Sequence, residues 1–475
     1  LWWGHQIPAW YGPDKKIFVA EDEKKAKIDS KKYYKKKVKL TRDPDVLDTW
    51  FSSGLWPFAT LGWPVSNYYL KKFYPTSVLV TGFDIIFFWV ARMIMMSLKF
   101  TKDIPFKKIY IHGLVRDSEG KKMSKSIGNV IDPLDVIEGI SLDKLLEKRT
   151  SGLINDKHKS NVIKKTKRDF PDGIKEFGAD ALRFNFCAMA STGRDINFDL
   201  KRIEGYRNFC NKIWNASRFI LLICKDYQYK EGLNSKDSNI FDKWILYKLD
   251  NMVADFKKYT KNYRFDLMAN SIYDFVWNEY CDWYLEIAKN NTSETTKNYL
   301  IFSIVRIIKI CHPIIPFITE DIWKEFYNKG FVTEQMLINS SFPTQIRISK
   351  EYDVESRVEN IRDIIRKIRK IRAELSIHPK EIVSVKIFIN ESILVSDVNE
   401  HSGLINNMTN IKIEVIDQKE ENLDYIDLID ENYTLYLKIK NMIDANEEMA
   451  KIDKKITDLA SIVNKIDQKL NNKKF

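Results

Sequence analysis

The chain has 475 residues, more than one hydrophobic core usually supports, so roughly two to four domains are expected. Hydrophobic residues at 44% and aromatics at 13% exclude a disordered chain, while five cysteines without a C-x-x-C pair exclude a disulfide framework or zinc ribbon and fit a reducing compartment. Lys and Arg number 77 against 65 Asp and Glu, a formal net charge of +12, which is compatible with a polyanionic partner without requiring one.

The chain opens Leu1-Trp2-Trp3-Gly4-His5, with no initiator Met and no basic segment leading into an apolar one. No signal peptide is expected, and the start reads as a cut end. Residues 1–20 are aromatic and turn-rich, with Pro8, Gly12 and Pro13. The Lys-heavy stretch from Glu21 to Lys39 predicts a solvated helix and loop, which Asp43-Pro44 breaks. Val78 to Gly82 predicts a short buried strand, and Ile85 to Leu98, apolar on most faces, a buried helix. Val78 to Leu98 has the length of a membrane span, but Asp84 and Arg92 interrupt it at a cost a bilayer would not repay. Ile109 to Leu114 predicts a second strand, followed by a Lys/Ser/Gly loop from Arg116 to Asn129. Strand, helix, strand in this order is a parallel α/β unit, whose ligands sit at the open ends of its strands.

After Asp199 the pattern becomes helical. Apolar positions run from Trp214 through Trp244, Ile272, Tyr280 and Trp283 to Phe326, punctuated by His312-Pro313 and Ile315-Pro316. A helix bundle accounts for them. Tyr352 to Leu375 predicts a helix dense in Arg and Ile, and the alternating runs Val383–Ile389 and Ile411–Val415 predict strands of a small α/β module. Ile452, Ile456, Leu459, Val463, Ile466 and Leu470 recur at steps of four and three, a short heptad seam. No internal repeat is apparent.

The segment with the most chemical content is Lys122-Met123-Ser124-Lys125-Ser126, followed by Gly128-Asn129. Lysines on phosphate oxygens, together with backbone N–H groups and serine hydroxyls, can wrap a triphosphate and stabilise charge developing on a leaving pyrophosphate. It is not a P-loop, because G-x-x-x-x-G-K-[ST] is absent.

This loop resembles the second signature motif of the class I aminoacyl-tRNA synthetases. Gly113-Leu-Val-Arg-Asp117, Ile131-Asp-Pro-Leu-Asp135, Asp45-Val-Leu-Asp-Thr-Trp-Phe-Ser-Ser53 and Val80-Thr-Gly-Phe-Asp-Ile-Ile-Phe-Phe-Trp-Val-Ala-Arg-Met93 resemble the valine branch of that family. So do Thr192-Gly-Arg-Asp-Ile196 and Glu204–Ser217, and the likeness covers essentially the whole chain. The resemblance implies an α/β nucleotide-binding, Rossmann-like catalytic half followed by an all-α anticodon-binding helix bundle, a small α/β module and a terminal coiled-coil helix. The expected boundaries are 1–40 for a segment re-entering after an editing domain, 41–200 for the second catalytic half, 201–345 for the bundle, 346–435 for the module and 436–475 for the coiled-coil arm. It implies ATP, accompanied by Mg2+, with valine and tRNA(Val) as partners. It further implies no protein-bound metal, no membrane, a cytoplasmic location and a monomeric full-length form.

Carried over by position, Lys122, Met123, Ser124, Lys125 and Ser126 match the ATP phosphate loop, with Lys122 and Lys125 as the catalytic pair. Gly82 and Asp84 match positions on the ATP ribose, and His112, Gly113 and Leu114 positions near the adenine. Asp84 is also placed to cap the helix that Ile85 begins, the ribose role being favoured on the motif, and without the motif His112 reads as a satisfied polar residue at a strand end. Trp89 matches an aromatic wall of the amino-acid pocket, although helix spacing suits a core residue as well; Trp2 or Trp3, the latter favoured, is expected to line the same pocket. Arg207, Asn208, Phe209, Asn211 and Lys212 are candidates for tRNA, with Phe209 stacking a base if exposed and filling the core if not. The Arg-rich helix bearing Arg362, Arg366, Arg369 and Arg372 is either a cover for tRNA backbone or a solvated face.

Departures from the family pattern also count. No His-x-Gly-His type motif is present, since the six histidines stand at 5, 112, 158, 312, 378 and 401. The editing domain is missing, and only one strand of the terminal coiled coil remains. The chain alone is therefore expected to be inactive. Isoleucine specificity and a non-catalytic tRNA-binding derivative are the competing functions. The apolar segment 81–89 argues against the first and the intact loop against the second.

Overall fold

The structure is a computed structural model that describes residues 4–191, 193–233, 237–290, 292–346, 352–420, 424–438 and 445–470. The chain divides into two compact units, the first built from residues 1–178, 185–204 and 259–267 and the second from 179–184, 205–258 and 268–475.

The first unit starts with a three-stranded antiparallel sheet in the order Ile17–Val19, Ala9–Tyr11, Thr41–Arg42. Helix Glu23–Tyr34 is inserted in it, capped by the Asp22 carboxylate on the Lys25 N–H and stopped at Lys35, whose φ is 59°. The helix is solvated as its lysines require; it buries little besides Ala26 and Ser30, Ala26 against Trp10. Strand Leu79–Gly82 then pairs in parallel with Ile109–His112, in a register that sets Gly82 beside His112. The connection is a 3-10 turn Phe83–Ile85, a π turn Ile86–Val90 and helix Ala91–Phe100. A second parallel pair joins Val115–Arg116 to Ile196–Asn197. Helices Leu142–Thr150 and Asp156–Asp169 follow the Lys/Ser/Gly loop.

The strand and helix expected to be wholly buried are buried on one face only. Val90 and Met93 pack with Phe106, while Val80 is 60% exposed, Phe87 74% and Met95 67%. Apolar residues on every side of an element indicate two packing surfaces, and the described residues occupy one of them. No helix among the described residues is long and apolar enough to cross a membrane.

The second unit holds the helix bundle. Helices Ile240–Lys261, Glu294–Cys311 and Pro316–Asn328, with the run from Phe265 to Asn290, enclose Trp244, Tyr280, Tyr284, Tyr299 and Trp323. Part of helix Leu200–Ile223 belongs to this unit too, and Phe209 on it is 0% exposed, stacked on Tyr273 at 5.1 Å and tilted against Phe184 at 4.9 Å. The small module is a four-stranded sheet in the order Tyr425–Ile429, Tyr433–Lys438, Val383–Ile389, Ile411–Ile416, of which only the last pair is parallel. Two of its strands were expected. Tyr425–Ile429 and Tyr433–Lys438 were not; Tyr433–Lys438 is buried on both faces and so lacks a clear period-two signal.

The Arg-rich helix Tyr352–Glu374 is solvated only in part, at Arg366 and Arg369, while Arg362 and Arg372 are buried. Arg362 is 3% exposed, sandwiched between Trp244 and Trp283 at 4.9 and 4.8 Å and paired with Glu279 at 2.6 Å. Arg372 donates to the carbonyls of His378, Asn410 and Glu381, and Arg369 to that of Met408. The planar guanidinium suits these roles because its donors reach several fixed acceptors at once. Arg366, beside Glu359, and Arg369 are exposed. The terminal helix Ala445–Leu470 exposes Ile456, Leu459, Val463, Ile466 and Leu470 along one seam.

Truncating Phe209 to Ala should cost about 3–5 kcal/mol of stability, as for other fully buried aromatics. Asn208→Ala, on the exposed side of the same turn, should stay within about 0.5 kcal/mol. Chemical denaturation followed by tryptophan fluorescence measures both, and equal effects would contradict the packing described.

Candidate functional site

The open ends of the two parallel strands collect the first group of candidates. A Cβ on Gly82 would stand 2.7 Å from Asp84 Oδ1 and 3.6 Å from both His112 and Leu114, so glycine keeps the backbone bare where these three side chains converge. Asp84 lies inside the 3-10 turn and makes no helix-capping bond; neither that turn nor the π turn after it has a side-chain cap. Its carboxylate instead faces Lys122 Nζ at 3.6 Å. Both side chains are solvated, so this pairing contributes little to stability and leaves both groups free to turn to a ligand. His112 Nδ1 lies 2.8 Å from the Gly113 carbonyl, which can only accept. Nδ1 therefore carries the proton, and a neutral ring presents Nε2 as an acceptor.

Behind this edge the backbone is held by a residue to which the sequence reading assigned no role. Leu114 N–H donates to Asp195 Oδ1 at 2.9 Å, and Arg116 Nε donates to Asp195 Oδ2. The Leu114 N–H first, and then Arg116, hold the Asp195 carboxyl below the usual carboxylate range. Gly113 passes so close to Arg194 that a Cβ would lie 1.7 Å from its carbonyl oxygen. Gly-Arg-Asp at 193–195 was noticed only as part of a family pattern; its work is to seat residues 113–116.

The signature loop is built on a buried carboxylate. Asp117 Oδ1 accepts from the N–H groups of Lys121 at 2.8 Å and Glu119 at 3.1 Å, closing a turn at Gly120, whose φ is +77°. Its Oδ2 accepts from Asn129 Nδ2 at 3.0 Å. Burial alone would push the Asp117 pKa up, but the bonds from Asn129, Lys121 and Glu119 and the charge of Lys165 outweigh it and hold the pKa down. Asn129 reaches across the loop in turn: Oδ1 accepts from Ser124 N–H at 2.9 Å and Nδ2 donates to the Lys122 carbonyl at 3.2 Å. The backbone on both sides of Met123 is thereby pinned. Lys122, Lys125 and Ser126 are exposed, and the Ser124 and Ser126 hydroxyls lie 3.1 Å apart.

The structure thus brings Gly82, Asp84, His112, Gly113, Leu114 and Lys122 together. It shows no contact from Lys125 to the strand ends. Trp89 is half-buried against the Val90, Met93 and Phe106 cluster, so its core role is realised. Trp3 and Trp2 lie outside the described residues.

The nucleic-acid candidates separate. Arg207, Asn208 and Asn211 are exposed. Phe209 is fully buried and cannot stack a base, because the ring already fills the space between Phe184 and Tyr273. Lys212 is tied to Asp282 and lies over the Trp277 ring at 4.2 Å. A groove of about 660 Å3 further along the same helix was not anticipated. Trp214, Arg218, Phe219, Leu222 and Lys225 line it, Leu222 and both cations being exposed, and the buried Ser217 hydroxyl on its wall has no partner among the described residues. Aromatics and cations at steps of four and seven, Trp214, Arg218 and Lys225, are the signal the sequence carries for it.

Residues 1–199 match the family of class I tRNA synthetases (I, L, M and V), and residues 242–387 match the anticodon-binding domain of tRNA ligases. A valine–tRNA ligase of Francisella tularensis is 43% identical over all of this chain and 52% of its own length. One of Buchnera aphidicola is 40% identical over all of this chain and 51% of its own length. One of Coxiella burnetii is 47% identical over 81% of this chain. This chain spans about half the length of the curated relatives it matches. Among solved structures, a LeuRS of Agrobacterium radiobacter, in a ternary complex with tRNA and LeuAMS, covers 88% of this chain at a TM-score of 0.52 and 15% identity, a likeness of fold. With its Lys-Met-Ser-Lys-Ser loop set against paired parallel strands, its bundle and its relatives, the chain belongs to the class I aminoacyl-tRNA synthetases, in the valine–tRNA ligase family.

Proposed function

We propose that the protein carrying this chain is an ATP-dependent ligase that activates valine as valyl-adenylate and transfers it to tRNA(Val). The observation that carries this reading is the approach of Lys122 to Asp84 at the ends of the two parallel strands. Asp84 is placed to accept from ribose hydroxyls, and the bare backbone at Gly82 lets the sugar come close. His112 Nε2 and the Gly113–Leu114 backbone face the adenine. The valine carboxylate attacks the α-phosphorus; one P–O bond forms to it as the bond to pyrophosphate breaks. No protein nucleophile is needed. Lys122 and Lys125 stabilise the charge gathering on the pyrophosphate, with Ser124, Ser126 and the Met123 backbone as further donors; Mg2+ accompanies the ATP. A hydroxyl at the tRNA end then takes the valyl group and AMP leaves.

Trp89 borders the valine side. The groove at Trp214, Arg218, Phe219 and Lys225 takes the place of Phe209 as the surface offered to tRNA, because it sets half-buried aromatic rings beside exposed cations. Residues 41–200 act as the catalytic half, 201–345 as the anticodon-reading bundle and 346–435 as a module docked by its arginines. The exposed seam from Ile456 to Leu470 is one strand of a coiled coil, and the protein acts as a monomer. Isoleucine specificity is disfavoured by the valine–tRNA ligase relatives. A non-catalytic binder has no use for a braced phosphate loop.

Valine-dependent ATP–pyrophosphate exchange by the full-length protein tests the reaction. Exchange should be strongest with valine against isoleucine and threonine, and Lys125→Ala should lower it by about 100- to 1,000-fold, as for loss of one preorganised transition-state donor. Tight tRNA binding without exchange for any amino acid would sink the reading. Arg218→Ala should weaken tRNA(Val) binding and reduce the slope of log affinity against log salt by about one. An unchanged slope would remove the groove from the tRNA surface.

A further inference from the structure

The buried cation behind the signature loop is a second feature the reaction chemistry does not use. Arg149, on helix Leu142–Thr150, is 7% exposed. Its Nε donates to the Gly128 carbonyl at 2.8 Å, and its guanidinium lies over the Phe170 ring at 5.5 Å. Among the described residues Nη1 has no partner; it borders a cavity of about 200 Å3 with Asp117, Asn129, Lys165, Phe170 and Phe198. A buried guanidinium with an unused donor is costly, and a methionine of similar length would pack there at less expense. What the arginine adds is the bond to Gly128.

Gly128 is where the loop ends. Its φ is +69°, its N–H donates to the Lys125 carbonyl at 3.1 Å, and a Cβ there would meet the Arg149 carbonyl at 2.8 Å and Val162 at 3.0 Å. The loop is therefore seated directly on the helical pair. Helix Asp156–Asp169 grips its other end, with Lys165 Nζ 2.9 Å from Glu119 and 3.9 Å from Asp117, and Arg168 3.8 Å from Glu119. Asn129 holds the middle. The pair is thus a backrest that touches the loop at both hinges.

We propose that Arg149 is a positioning residue for the signature loop: through the Gly128 carbonyl it fixes the hinge that aims Lys125, and the helical pair 142–169 exists to hold that hinge. This rests on the ligase reading for its kinetic consequence, but the brace itself is a property of the free protein. Lysines that act on charge developing at pyrophosphate contribute only if they are already aimed, so loosening the hinge costs transition-state binding and leaves the valine pocket alone.

The experiment uses the full-length protein with Arg149→Met, Arg149→Lys and, from the loop side, Gly128→Ala. Amide hydrogen exchange without substrates should show faster exchange at Ser124 and Gly128 in Arg149→Met and Gly128→Ala, with the strands 79–82 and 109–112 unchanged. In ATP–pyrophosphate exchange, kcat should fall about 10-fold or more while KM for valine stays within about twofold, and Arg149→Lys, which keeps one donor, should recover most of it. If Arg149→Met does not fold, Gly128→Ala carries both readouts. Unchanged loop protection overturns the brace, as does a loss in which KM for valine and melting temperature move together with kcat. Wild-type protein without exchange activity would remove the ligase reading alone, since loop protection still decides the brace.

Discussion

Much of the first unit depends on one buried carboxylate. Asp117 is taken out of water at a cost that only a full set of donors can repay, and it has that set: two backbone N–H groups, the Asn129 amide and the charge of Lys165. Each donor belongs to a different part of the loop or its support. Satisfying one carboxylate therefore closes the turn before the lysines, orients the asparagine that spans them and draws a distant helix against them. A long, Lys-rich loop would otherwise have no reason to keep one shape, because like charges repel and exposed lysine side chains lose rotamer freedom when ordered. Order is supplied from below, where water is excluded, and the working side chains stay in solvent.

The second unit solves a related problem with arginine. Arg362 bridges two tryptophans and a glutamate, Arg369 ends on the Met408 carbonyl, and Arg372 ends on the carbonyls of His378, Asn410 and Glu381. Ion pairs on a surface contribute little, but a guanidinium held between aromatic faces combines area burial with charge pairing. The sequence displays these arginines as a basic stripe that invites a nucleic-acid reading. The burial of Arg362 and Arg372 shows that part of a basic stripe can be an internal fastening when its surroundings supply aromatic faces, acids and carbonyls.

Much of this was legible beforehand. The period-two runs at 383–389 and 411–415 and the βαβ order at 78–114 appear where alternation and apolar runs put them, since those patterns are set by local backbone geometry. A Lys/Ser/Gly loop after the second strand was legible from composition. Three things were not. Phe209 and Trp214 stand five residues apart on one helix and look alike in sequence; which faces the core depends on Phe184 and Tyr273, remote in the chain. Asp117, Asn129 and Asp195 are short polar residues in loops, where such residues usually cap turns, and only the fold shows them holding a site. The one-sided burial of the Phe83–Phe100 segment could not be read either, because composition counts apolar faces but not what covers them.

The crossing of Gly113 and Arg194 bears on how this region can vary. The two segments lie eighty-one residues apart at the Leu114–Asp195 bond, yet they touch without room for a methyl group. A side chain at 113 would have to displace residues 193–196, and displacing them would unseat the backbone of Leu114. Divergence here is confined to paired changes. A lineage cannot walk from glycine to alanine at 113 through a well-packed intermediate unless the second segment has already moved, so this strand end is insulated from gradual drift by geometry alone.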